Sequence, residues 1–161
     1  LWDDAAIERI IAACLGTFQC ENDVSLLPAL LELQADIYLA TGMAEKARDA
    51  ARSSIDASHK LWGRGNLITA KALLVLGQAE LALKRPDESI ARLEESLEMR
   101  QDADPELRGE VEFALARALY EAGTTERARR LAASARASYA SAGRARAKDV
   151  AAVDSWLETL R

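Results

Sequence analysis

A single histidine, His59, and two cysteines, Cys14 and Cys20, leave this chain little with which to build a nucleophile–base pair or a metal centre. A nucleophilic triad needs a base held between a Ser or Cys and an orienting acid, and no G-x-S-x-G surrounds any serine. The five residues between the cysteines fit no common zinc pattern, and His59 is far from both. Two reduced cysteines, on a helix and its following loop, are the expectation. Phosphoryl transfer needs a glycine-rich cradle after a strand, whereas Gly63 and Gly65 make only G-x-G after a helical stretch. The acidic run EESLEMRQDADPELRGEVE lacks the spacing and central glycine of a calcium loop. The sequence therefore assigns no catalytic residue, no cofactor and no metal, and the chain is not expected to be an enzyme.

Other shortages narrow the class further. Three prolines and eight glycines in 161 residues leave no room for long linkers, and only 5% of residues are aromatic. No run of about eighteen apolar residues exists to span a membrane. The opening LWDDAAIERI has no basic start, which argues against a signal peptide and for a cytoplasmic location. It begins with Leu rather than Met, so an upstream portion is expected. Net charge is -5, a poor starting point for polyanion binding. The basic residues gather late: residues 122–161 hold eight Lys/Arg against four Asp/Glu. The arginine-rich stretch 126–148, read as one helix, is the place where nucleic acid would bind. Its arginines alternate with alanines at helical spacing, so a solvated helix face is the simpler expectation.

Half the residues are hydrophobic, and many are alanine. Small side chains let helix axes approach closely, which favours packed helices over a sheet. Three stretches carry one phrase: ADIYLATGMAEKARDAARSSI around Gly42, GQAELALKRPDESIARLEESL around Lys84, and ARALYEAGTTERARRLAASAR around Gly123. The turn positions stand 42 and 39 residues apart. Seven residues before each turn lie Ala35, Gly77 and Ala116; five after lie Ala47, Ser89 and Ala128; twelve after lie Ser54, Ser96 and Ala135. Such periodicity marks a repeat of helical hairpins. The small residues admit the neighbouring helix, while Tyr38, Leu76, Leu93 and Leu131 fill the gaps between hairpins. A lone hairpin cannot bury both faces, so stacking follows. Pro86 and Pro105 suit first helical turns, and Asp104 and Thr124 or Thr125 suit caps.

The small-residue spacing resembles the tetratricopeptide repeat. Its long period, with KLWGRGNLITAKALLVLGQAEL running between hairpins, is similar to the 42-residue form of kinesin light chains and many bacterial proteins. Gln34 stands where leucine is usual, and Lys84 where glycine is usual. The later text, with FALARALYEAG and the closing SWLETLR, resembles the C-terminal repeat region of bacterial eukaryotic-like serine/threonine kinases, although no kinase catalytic motif occurs in the chain. The resemblance implies an all-α, right-handed superhelical stack forming a single domain over 1–161. Within it, 1–23 is the second helix of a truncated repeat, with Ile7, Ile10, Ile11 and Leu15 on one side of a helix at 2–19. Three repeats follow at 24–65, 66–104 and 105–143. A capping helix at 144–161 has Val150, Val153, Trp156, Leu157 and Leu160 on one face.

The resemblance also implies a function: a non-catalytic protein-interaction module that seats a peptide or helix in a groove lined by the first helix of each repeat. Carried onto this chain, the groove positions are Glu32, Asp36 and Leu39; Lys71, Leu74, Gln78 and Leu81; and Glu110, Phe113, Arg117 and Tyr120. Phe113 and Tyr120 are the expected anchors, with ordinary inter-helix packing an equal expectation for Phe113. A form of the family that clamps a terminal carboxylate uses Lys and Asn; Lys71 and Arg117 stand here among acids with no asparagine, which disfavours that ligand. The expected partner is a protein or peptide, or an upstream domain of the same polypeptide. A homodimer through the first helix and nucleic-acid binding by 126–148 are the alternatives.

Overall fold

A computed structural model of the chain describes residues 9, 12, 13, 24–99 and 105–160. Among these there are α-helices and short 3-10 turns, and no strand. A 3-10 turn, Val24–Leu26, leads into α1 (Leu27–Ala40) and α2 (Ala44–Trp62). Then come α3 (Leu67–Ala82) with α4 (Pro86–Met99), and α5 (Pro105–Glu121) with α6 (Thr125–Ser141). A second 3-10 turn, Gly143–Arg146, precedes α7 (Ala147–Glu158). All but residues 9, 12 and 13 of the helix expected at 2–19, the cysteines and the Asp104 cap lie outside the described residues.

The three turns close with the same bonds. The N–H groups of Gly42, Lys84 and Gly123 donate to Leu39, Leu81 and Tyr120 carbonyls at 3.1, 3.0 and 2.9 Å. The next N–H, of Met43, Arg85 and Thr124, reaches back to Tyr38, Glu80 and Leu119 at 2.8, 2.9 and 2.8 Å. This pair of bonds ends a helix through one left-handed residue. Gly42 and Gly123 have φ of 82° and 80°, and Lys84 adopts the same conformation at 62°. Lysine thus takes the glycine backbone rather than changing the turn. Pro86 and Pro105 open α4 and α5, where no N–H is required. The expected threonine cap is corrected: Thr124 is the residue before α6 but makes no side-chain cap bond, and Thr125 is already helical. Asn66, by contrast, caps α3 by accepting from Thr69 N–H at 2.9 Å.

Consecutive helices pack against one another along the whole described chain, and α1 also touches α3, as α3 touches α5. The second helices make no comparable contact with each other. The stack therefore curves with its first helices inside, as in a tetratricopeptide-like α-solenoid. All nine small repeat positions are buried. The serines among them add bonds: Ser89 donates to the Gly77 carbonyl, and the Ser54 and Ser96 hydroxyls donate to Pro28 and Ala70 carbonyls, each at 2.7 Å. The last two pairs are equivalent, twelve after and fourteen before their turns. In the third hairpin the same pair is Ala135 and Gly109, and the Tyr139 ring lies against Gly109 instead.

The middle helix, α3, is buried on nearly every side from Thr69 to Glu80, as expected for a helix walled in by both neighbouring hairpins. Ala35, Tyr38, Ala47, Ala51, Val75 and Leu76 form one core cluster. Leu74, Leu93, Val111, Leu115 and Leu119 form the next. Tyr139 and Val153 join α6 to α7 in a third, with Val150, Trp156 and Leu157 packed partly against it. Leu131 is only half-buried, beside the second and third clusters.

Candidate functional site

The concave side carries two adjoining cavities of about 840 and 480 Å³. Leu39, Gln78, Leu81, Phe113, Arg117 and Tyr120 line the larger. Glu32, Asp36, Lys71, Leu74 and Glu110 line the smaller, together with Gln78, Phe113 and Arg117 again. Every groove residue named from the sequence therefore lines one or both, and Gln78, Phe113, Ala114 and Arg117, common to both, stand where they meet. Sites on α1, α3 and α5 converge because helical spacing of three to four residues keeps one face toward the concavity.

The sequence reading missed the fourth wall. α7 supplies Ala152, Ser155 and Trp156 to the larger cavity, and the residue after it, Thr159, joins them. Trp156 meets Phe113 edge-on, with ring centroids 5.7 Å apart, and meets Tyr120 in the same way at 5.8 Å. Phe113 is half-buried, so its packing role is real; Tyr120 remains 39% exposed. Trp156 was assigned only to the apolar face of a terminal helix. A tryptophan at the inward edge of that face was the available signal.

Charge is graded along the groove. At the smaller cavity the Asp36 carboxyl, though open to solvent on one side, is held above the usual aspartate value. Burial between the groove walls raises it; a hydrogen bond with Glu32 and the Lys71 charge pull the other way and do not overcome it. Glu110 is satisfied by Arg146 at 2.7 Å. At the larger cavity stand Lys84, Arg117 and Glu121. Among the described residues Arg117 and Gln78 have no polar partner.

The arginine-rich stretch is corrected. It is not one helix: α6 ends at Ser141, and a 3-10 turn separates it from α7. Its cations are largely engaged within the fold, Arg127 with Glu94 at 2.6 Å, Arg136 with Asp154, and Arg146 with Glu110 and Asp149. Arg129 reaches Glu126 and the Leu160 carbonyl. Two buried carboxylates are held likewise. Glu80 takes Arg52 at 3.0 Å and Arg85 at 3.4 Å, while Glu112 takes Arg108, Ser134 and Ser138 at 2.9, 2.9 and 3.3 Å. The distant partners Arg52, Ser134 and Ser138 are not legible in sequence, whereas Arg108 stands one helical turn from Glu112.

A smaller cavity of about 470 Å³ lies away from the groove, between α1 and α2, lined by Leu27, Leu31, Ser53, Lys60 and Leu61. Leu26 and Trp62 are exposed nearby in sequence, at 49% and 45%. No group of three or more potential metal ligands occurs among the described residues. No described helix is long and apolar enough to cross a membrane.

Residues 26–102 match the family model described as the tetratricopeptide repeat. This part of the chain is similar to tetratricopeptide repeats. It corresponds to the first two hairpins, α1 to α4, and the third hairpin repeats their turn bonds and small buried positions beyond the matched stretch. Tetratricopeptide repeats are non-catalytic units that generally mediate contacts between proteins. No curated protein matches the chain.

Proposed function

We propose that the chain is a non-catalytic interaction module that seats an extended peptide or a helix in its concave groove. The carrying observation is the convergence of α1, α3, α5 and α7 on the two adjoining cavities, with Gln78, Phe113 and Arg117 common to both. A concave, partly aromatic surface with a few unsatisfied polar groups suits a main chain and selected side chains of a partner. The resemblance of the later part to repeat regions of bacterial kinases supports a further reading: a cytoplasmic C-terminal region of a larger signalling protein, with the partner supplied by that protein or by another.

Site-specific photo-crosslinking tests the groove. A benzophenone side chain at Leu81 should capture partner polypeptide, one at the outward Ala137 should not, and Phe113→Ala with Arg117→Ala should abolish capture. Equal capture from both positions would remove the groove from the account.

A second reading, self-association, is favoured by the exposed Leu26 and Trp62 and by the cavity beside Leu27 and Leu61. Sedimentation over a hundredfold concentration range should then show a dimer that Leu61→Glu dissolves. A monomer throughout would end that reading.

A further inference from the structure

Granted the groove reading, the side chains around the two cavities also specify the ligand. Glu32 and Asp36 share the smaller cavity with Lys71. Glu110 there pairs with Arg146, which also holds Asp149. Away from the join this end carries more acid than base. At the far end of the larger cavity Lys84 and Glu121 balance, and Arg117, which lines both cavities, is the cation at the join. Arg117 has no polar partner among the described residues, and neither does Gln78 beside it. Between and beyond them lie the edges of Tyr120 and Trp156, set against each other at 83°.

These observations select one occupant. A basic side chain relieves the carboxylate pair, an acidic side chain completes Arg117, and a bulky apolar side chain covers the aromatic edges. We propose that the groove takes an extended, oppositely charged peptide segment: a Lys or Arg at the Glu32–Asp36 end, an Asp or Glu at Arg117 where the cavities join, and next to it a large apolar residue against Tyr120 and Trp156. The Gln78 amide, placed where the cavities join, bonds the main chain between the two charged residues.

The test is selection of a random dodecapeptide display library on the full chain. Binding of the enriched peptides, terminally blocked, is then measured by fluorescence anisotropy. The expected outcome is enrichment of basic–spacer–acidic–apolar order, with affinity falling at least about tenfold for Arg117→Glu and for Asp36→Lys, and no loss of thermal stability in either. Replacing the peptide's acid by Lys should restore binding to Arg117→Glu, which a merely structural effect would not do. Enriched peptides without that order, or indifferent to Arg117→Glu yet lost with Tyr120→Ala, would overturn the charge assignment while leaving the groove. Failure to enrich any peptide would overturn both.

Discussion

A Cβ atom built on Gly77 would stand 2.6 Å from Cγ of Leu93 and 2.8 Å from its Cδ2. Leu93 is fully buried between α3 and α5, so it has nowhere to retreat. The absent side chain is therefore what lets α4 lie on α3. Gly77→Ala gains about 1 kcal/mol of helix propensity but faces about 1–3 kcal/mol of overpacking; net destabilisation in urea titrations is expected. Gly77→Leu should be far worse. Leu93→Ala alone should cost about 2–5 kcal/mol, and the double variant less than the sum, because the new methyl enters the space vacated.

Lys84 holds φ of 62° where its counterparts are glycines. A left-handed residue with a Cβ carries about 1–2 kcal/mol of strain. Lys84→Gly should raise the melting temperature, and Gly42→Ala and Gly123→Ala should lower it by similar amounts. Equal effects at all three positions would show that the shared turn bonds set the same demand in each hairpin.

The buried carboxylates give a graded test. Glu80 has two arginine partners, each half exposed, so Arg52→Ala or Arg85→Ala alone should cost less than about 1 kcal/mol. Both together leave Glu80 buried and unpaired, and a loss greater than the sum is expected. Chemical denaturation of the four species forms a complete cycle.

Asp36 predicts a pH dependence. Its carboxyl is raised by burial in the groove, so between the ordinary aspartate value and the raised one the folded state holds more protons than the unfolded. Stability therefore falls as pH rises through that interval and the penalty is full above it. Asp36→Asn should flatten this slope and be more stable than the parent at neutral pH. Urea midpoints from pH 3.5 to 7 for both proteins would show it.

Sequence and structure agree wherever the signal is local or strictly periodic. Ala35, Gly77 and Ala116 lie at one register, and each is buried where the two helices of its hairpin meet. Gln34, an apparent departure, donates to the Tyr38 hydroxyl at 3.1 Å, one turn along the same helix. What escaped reading depends on pairs far apart in the chain. Trp156 reaches Phe113 and Tyr120 across 43 and 36 residues, and Arg127 finds Glu94 across 33. Alternating arginine and alanine looks alike whether its cations meet water or acids on a neighbouring helix. Thr124 fails as a cap because its ψ of 60° departs from the extended backbone of a capping residue such as Asn66, at 163°.

Trp156 stands edge-on to two rings at the rim of the larger cavity, and the remaining indoles, Trp2 and Trp62, belong to earlier segments of the chain. With both of those replaced by Phe, the protein becomes its own optical gauge. Any guest that displaces water from that corner must shift the emission colour of one fluorophore, so occupancy is readable without a label, a tag or a known ligand.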